Sequence, residues 1–217
     1  MCKLLKLLSI ISLLSVSCGQ KPNLSTTKIV IGSNDLQYYE SDDNLSQAIG
    51  KVALGCTATH IGNNIVLTAG HCVKSTNCRA DKYNVTWNYR RDNRSGDFTS
   101  RCLEVIRTEN NGNRDYAILR YDSAPDAYID VNKSQKPRKG DALTILSHPQ
   151  GQPLSWSGWC KHSGAYEGNK FSYNCDTKGG SSGAVVLNED LEIVGIHNLG
   201  NSSYQINAGT YIQSVPL

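Results

Sequence analysis

The stretch "CDTKGGSSGAVV", Cys175 to Val186, sets two adjacent serines between glycine steps and then runs into apolar residues. Glycine at that density admits positive-φ backbone that other residues resist, so the stretch reads as a tight turn feeding a strand, with one of its serines offered as a nucleophile. A serine hydroxyl is a weak nucleophile at neutral pH. Hydrolytic chemistry on such a residue requires an imidazole to take its proton and a buried carboxylate to orient that imidazole. Two stretches offer them. In "TAGHC", Thr68 to Cys72, His71 ends an apolar strand where a side chain can emerge into a cleft. In "NRDYAILR", Asp115 stands just before Ala117 and Ile118, the place for an acid about to be buried at a strand start.

The elements around these residues read as strands. Beyond residue 28, "KVALGCTATHI", "NIVLTAG", "YNVTWNYR", "DYAILRYD", "DALTILSH", "SGAVVL", "LEIVGIH" and "GTYIQSV" are short runs rich in β-branched and aromatic residues. Turn signals fall between them at Gly62 to Asn64, Asn110 to Asn113 and Asn188 to Asp190, the rhythm of a sandwich or barrel. Helical periodicity is missing apart from a turn at His71 to Ser75. "SAPDAYIDVNKSQKPRKGDA" is polar and carries Pro125 and Pro137, both unsuited to a central strand, so it reads as a connection between two strand-rich halves.

The chain has 217 residues, enough for one sizeable core or two small ones. It opens on two lysines, an apolar run from Leu7 to Val16 and then small residues, the layout of a secretory leader over residues 1–18. "LSVSCG" also resembles a bacterial lipoprotein cleavage box, with Cys18 as the acylated residue and Ser15 where such boxes usually carry an apolar residue; acylation and plain secretion both stay open. Residues 19–28 then form a polar tether. Leaving Cys2 and Cys18 aside, Cys56, Cys72, Cys78, Cys102, Cys160 and Cys175 form an even set, and export permits them to make three bridges. No CxxC or HxxxH spacing accompanies them, which argues against a metal site. Losing Lys3 and Lys6 takes the formal charge from +3 to +1, with no basic stripe to neutralise phosphates, so no nucleic-acid partner is implied.

The order His, Asp, Ser in "TAGHC", "DYAIL" and "GSSGA" resembles the chymotrypsin/trypsin superfamily of serine endopeptidases over nearly all of the mature chain. "SHPQGQPL" and "GIH" are similar to segments of its bacterial glutamyl-endopeptidase branch. The resemblance implies an all-β fold of two antiparallel β-barrels, residues 29–128 and 129–217, with the active site in the cleft between them. It also implies protein or peptide substrates, no cofactor, and an exported monomer; membrane contact would come only through a lipid on Cys18, if the cleavage-box reading rather than plain secretion holds. The family's Gly-x-Ser-Gly turn makes Ser182 the nucleophile and Ser181 the variable residue before it. His71 is then the base, Asp115 its orienting acid, and the N–H groups of Gly180 and Ser182 the oxyanion donors. His60, His148, His162 and His197 compete with His71 for the base, but only His71 pairs an upstream apolar strand with a cysteine neighbour. The family joins that neighbour, Cys72, to Cys56; Cys160 with Cys175 and Cys78 with Cys102 complete the set.

For specificity the resemblance points two ways. Trypsin-like enzymes carry a pocket carboxylate at the position of Asp176, which selects Lys or Arg. Glutamyl endopeptidases carry a histidine and a hydroxyl at the positions of His197 and Thr177, which incline the reading to an acidic side chain before the scissile bond. Asn198 stands where the family often has serine, and the strand through His197, Asn198 and Gly200 is expected to pair with substrate backbone. "KIVIG" resembles a zymogen activation site, yet Ser181 occupies the position of the aspartate that would receive the freed N-terminus, so cleavage after Lys28 is not expected to act as that switch. A protein that keeps the fold without useful activity and an esterase on the same scaffold are the alternatives.

Overall fold

The structure, a computed structural model, describes residues 29–217. The leader, Cys18, the tether and Lys28 lie outside the described residues. Strands are numbered in chain order. β1 (Gln37–Tyr38) precedes β2 (Ile49–Val52), β3 (Thr57–His60), β4 (Ile65–Thr68), β5 (Val85–Trp87), β6 (Thr99–Ser100), β7 (Cys102–Asn110) and β8 (Asp115–Tyr121). β2 to β8 form one antiparallel sheet in the order β6-β5-β2-β3-β4-β8-β7. The later strands are β9 (Ala142–Ser147), β10 (Ser155–Trp156), β11 (Cys160–Ala165), β12 (Lys170–Tyr173), β13 (Val185–Leu187), β14 (Ile193–Asn201) and β15 (Ile206–Tyr211). Their sheet runs β1-β10-β9-β11-β12-β15-β14-β13, and β13 also pairs with β9, which closes six of its strands into a barrel. The architecture is the expected all-β, two-barrel one, with the first sheet open.

Alternation along β8 explains how one strand serves two cores. Tyr116 and Ile118 point into a cluster shared with Leu146, Leu187 and Ile196 of the second sheet, while Ala117, Leu119 and Tyr121 point into the first sheet's own cluster with Val66, Val85 and Trp87. Both faces are buried, which is why the run "YAIL" is apolar without a break. A third cluster, including Leu143, Ile145, Phe171 and Val194, fills the second barrel. The shared cluster fixes the two sheets against each other, and so fixes whatever lies in the cleft between them.

The N-terminal residues expected in the first barrel begin in the second: Gln37–Tyr38 pairs with β10, and Tyr39 N donates to Leu154 O at 2.9 Å. The polar connection is tied to both sheets at two adjacent residues, with Ile129 N on His60 O (3.1 Å) and Ile193 N on Asp130 O (2.8 Å). "KVALGCTATHI" is two strands rather than one. It turns over at Gly55, whose φ of 97° breaks the run into the β2–β3 hairpin. The strand signals missed β7, an exposed edge strand with charges at Glu104, Arg107 and Glu109, and also β11 and β12. A five-residue helix, Asn44–Ala48, was missed as well; it is too short for periodicity and is held by a capping box between Asp43 and Ser46.

Candidate active site

His71 sits in a single 3-10 turn, Gly70–Cys72, at the end of β4, and Asp115 opens β8, the strand beside β4. The register pairs Thr68 with Ala117, so the loop after Thr68 lands next to the residues before Ala117. Asp115 Oδ2 lies 2.7 Å from His71 Nδ1, and Oδ1 accepts the His71 backbone N–H at 3.0 Å. The carboxylate therefore holds both the ring and the backbone of one residue. It is 6% exposed, whereas the imidazole keeps a third of its side-chain surface open to the cleft.

The other face of the ring meets the second barrel. His71 Nε2 lies 2.8 Å from Ser182 Oγ, although the two residues are 111 positions apart. The serine turn is stitched to the first sheet through Thr57. Thr57 N donates to Ser182 O (2.8 Å), and Thr57 Oγ1 donates to Gly180 O (2.9 Å) while accepting from His148 N (3.0 Å). Gly180 (φ 93°) and Gly183 (φ 83°) both occupy the left-handed region, and a Cβ on either would meet neighbouring atoms, Gly180 those of the His148–Gly151 loop and Gly183 those of Thr57, Thr68 and Ala69. The glycines let the turn lie flat against both supports. Ser181 does not face the imidazole; its Oγ lies 2.9 Å from Ser147 Oγ on β9 and also accepts from Lys178 N.

Behind Asp115 stand two residues that the motifs did not single out in this role. Asn198 Nδ2 donates to the Asp115 carbonyl at 2.6 Å, and Thr210 Oγ1 accepts the Asp115 N–H at 3.0 Å while donating to Asn198 Oδ1 at 2.8 Å. Asn198, expected among substrate contacts, has its amide committed to the backbone of the acid. Thr57, Ser147 and Thr210 carried no signal, because a lone Thr or Ser in a strand is commonplace.

Asp176, at the position of a trypsin-like pocket carboxylate, is 2% exposed and turned to the N-terminal segment: Oδ1 accepts Ile31 N at 2.6 Å and Oδ2 accepts Asp35 N at 2.7 Å. Thr177 donates its hydroxyl to Asn207 Oδ1 at 2.9 Å, and His197 Nδ1 lies 2.6 Å from the hydroxyl of buried Tyr173. Burial raises the Tyr173 hydroxyl well above its ordinary value and keeps it protonated. Gly200 pairs with Asn207 across β14 and β15. The competing histidines are internal: His148, wholly buried beside Lys51, is pushed down to about 4, and burial also lowers His60 and His162.

Disulfides join Cys56 to Cys72, Cys78 to Cys102 and Cys160 to Cys175. The first of them closes the loop that presents His71. Cys56, Cys72 and His71 bring three donor atoms within 4.8 Å of one another, but both sulfurs are oxidised to the disulfide and cannot act as thiolate ligands. Among the described residues no helix is long and apolar enough to cross a membrane. A hydroxyl, an imidazole and a buried carboxylate in hydrogen-bonded series can move a proton off the hydroxyl as it attacks an acyl carbon.

Residues 56–196 match the trypsin-like peptidase domain, and the chain belongs to that family. Among solved structures it is similar to a Glu endopeptidase in complex with MPD, with a TM-score of 0.72 and 24% identity over 86% of this chain and 94% of that one. It is also similar to the Rv3671c protease in an inactive form, with a TM-score of 0.59 and 16% identity over 78% and 86% of the two chains. A mutant of Rv3671c from M. tuberculosis H37Rv, likewise inactive, gives 0.57 and 16% over 83% and 93%. No curated protein matches the sequence significantly. The fold and family are those of serine proteases.

Proposed function

We propose that this protein is an exported serine endopeptidase that hydrolyses peptide bonds through an acyl-enzyme on Ser182. The observation that carries the reading is the unbroken series Ser182 Oγ, His71 Nε2, His71 Nδ1 and Asp115 Oδ2, with contacts of 2.8 and 2.7 Å. His71 takes the hydroxyl proton as Oγ attacks the scissile carbonyl and returns it to the leaving amine; it then draws a proton from water to release the acyl group. Asp115 fixes the tautomer and stabilises the imidazolium. The N–H groups of Gly180 and Ser182 serve the developing oxyanion, and β14 near His197 and Gly200 pairs with substrate backbone. Residues 29–128 and 129–217 supply the two walls of the cleft, apart from the N-terminal segment that crosses over.

The side chain preferred before the scissile bond is acidic in this reading. Asp176 is occupied by two backbone donors, which removes it as the partner of a lysine or arginine, while His197 and Thr177 hold the positions of the glutamyl-endopeptidase histidine and hydroxyl. The similarity to a Glu endopeptidase supports the same choice. Three disulfides support an oxidising, extracytoplasmic location; acylation at Cys18 and a monomeric state belong to the same proposal. A cleavage-site profile with matched peptides carrying Glu, Lys or Phe is expected to favour Glu. Organophosphonate labelling is expected to mark Ser182 in the wild type and to vanish in Ser182→Ala. A strong preference for Lys would sink the acidic reading, and an unlabelled Ser182 would leave a binding protein on a protease fold.

A further inference from the structure

We propose that Asp176 is a positioning residue, which clamps the segment Ile31–Asp35 against the base of the serine turn and makes the reactivity of Ser182 depend on that segment; the proposal rests on the hydrolase reading above. Both carboxylate oxygens are taken by N–H groups four residues apart in sequence, at 2.6 and 2.7 Å, so the chain curls around the charge. Asp176 is buried, and a buried carboxylate is tolerated only where such donors replace its water. Gly32 with φ of 81° makes the curl, and Ser33 Oγ closes it on Asp35 Oδ1 at 3.0 Å.

A second set of contacts continues the attachment on either side of the clamp. Thr177 N donates to Ile29 O at 3.1 Å. Asn207, fully buried on β15, donates to Ile29 O (2.7 Å) and Cys175 O (2.8 Å) and accepts from Ile29 N (3.2 Å) and the Thr177 hydroxyl (2.9 Å). Asp176 and Thr177 are thus tied to residues 29–35 directly, and Cys175 through Asn207. From Thr177 the chain reaches Ser182 through Lys178–Ser181, itself locked by Ser181 N on Lys178 O at 3.0 Å and Lys178 N on Ser181 Oγ at 3.3 Å. A shift at Asp176 is therefore passed to the turn rather than absorbed before it. Ser181 supplies no carboxylate to this turn, and Asp176 supplies one from its base, aimed at backbone N–H groups instead of a terminal ammonium.

The test uses the full chain with Asp176→Asn, Asp176→Ala, Ile31→Pro, which deletes one of the two donors, and the double variant Asp176→Ala with Ile31→Pro. Amide hydrogen exchange reads the segment directly, and the organophosphonate labelling rate of Ser182, corrected for the folded fraction by circular dichroism, reads the turn. Asp176→Ala is expected to speed exchange at Ile31 and Asp35 and to slow labelling of the folded protein about tenfold, since a charge-assisted pair is lost. Asp176→Asn should fall between it and the wild type, and it decides the matter if the alanine variant fails to fold. Because the two residues act through one contact, the double variant should be no slower than the worse single variant by more than about twofold. The proposal is overturned if folded Asp176→Ala labels at the wild-type rate, if the two losses multiply, or if only cleavage after Lys or Arg disappears, which would make Asp176 a pocket acid. Should wild-type Ser182 prove unreactive, the hydrolase reading fails on its own, and unchanged exchange at residues 31 and 35 in Asp176→Ala would still refute the clamp.

Discussion

Two buried aspartates flank the same serine, and they are solvated in opposite ways. Asp115, at the start of β8, gives one oxygen to an imidazole and the other to a backbone N–H. Asp176, at the base of the serine turn, gives both to backbone N–H groups. The first carboxylate faces a group that can gain a proton, so its charge is available at the moment a reaction needs it. The second is saturated by dipoles that cannot change their charge, so its field is spent on holding chain in place. The same contrast extends outward. The His71 end of the cleft is ionisable and one-third open, while the serine turn rests on Thr57, Ser147 and a neutral His148. The group that can exchange a proton lies on one side, and the neutral contacts that hold the turn lie on the other.

Removing the charge on the first side is the harshest test of this contrast. Asp115→Asn should keep the fold and lower kcat about ten-thousandfold, because an amide favours the wrong imidazole tautomer and cannot stabilise the imidazolium. Steady-state kinetics on a peptide ester and a peptide amide would check it; a loss below about tenfold would mean that Asp115 does not act through His71.

The second side is best probed with acid. Burial penalises the His148 cation and pushes its pKa down to about 4, below the ordinary imidazole value of 6.5, so the ring is neutral in the folded protein at neutral pH. Between pH 6.5 and 4 the unfolded chain takes up a proton that the folded protein refuses. The stabilisation is therefore complete above pH 6.5 and is lost steadily below it, by about 3 kcal/mol at pH 4. Denaturant unfolding across this range should show that slope in the wild type and a shallower one in His148→Gln. Equal slopes would mean that the support beneath the turn is not the neutral one described here.

The mildest change sharpens the first side. Asn198→Ala removes the amide that holds the Asp115 carbonyl and should lower kcat about tenfold with KM nearly unchanged, as expected for a lost hydrogen bond that positions a catalytic group. Asn198→Asp retains an acceptor for Thr210 but no donor for the carbonyl, so it should not rescue. A rise in KM alone would return Asn198 to the role of a substrate contact.

Local signals in the sequence were strong wherever one residue type is required. Gly180 and Gly183 mark backbone that other residues strain to adopt, and the apolar run after Asp115 marks a strand buried on both faces. The cysteine next to His71 pointed the same way. Strands with mixed faces were harder to read. β7 lies at an edge with much of its surface in water, so its composition resembles a loop, and β1 is two residues long and is defined by its partner β10 rather than by its own pattern. The serine turn and the acid were legible, but their supports were not: Thr57 and Ser147 beneath the turn, and Thr210 behind Asp115, matter through what lies across from them.

The sequence by itself offered the residues that could act, because a nucleophile, a base and an acid each need a particular functional group in a particular local setting. It also determined the strand-rich character of the chain, since short runs of β-branched and aromatic residues are set off by turn signals. What only the tertiary structure decided is the use made of side chains whose chemistry is shared. Asp115 and Asp176 are the same residue type, and the choice between them is made by what stands opposite: an imidazole brought over from the end of β4, or backbone N–H groups brought from 141 and 145 positions away. A carboxylate takes its role from the donors that replace its water, and folding chooses those donors.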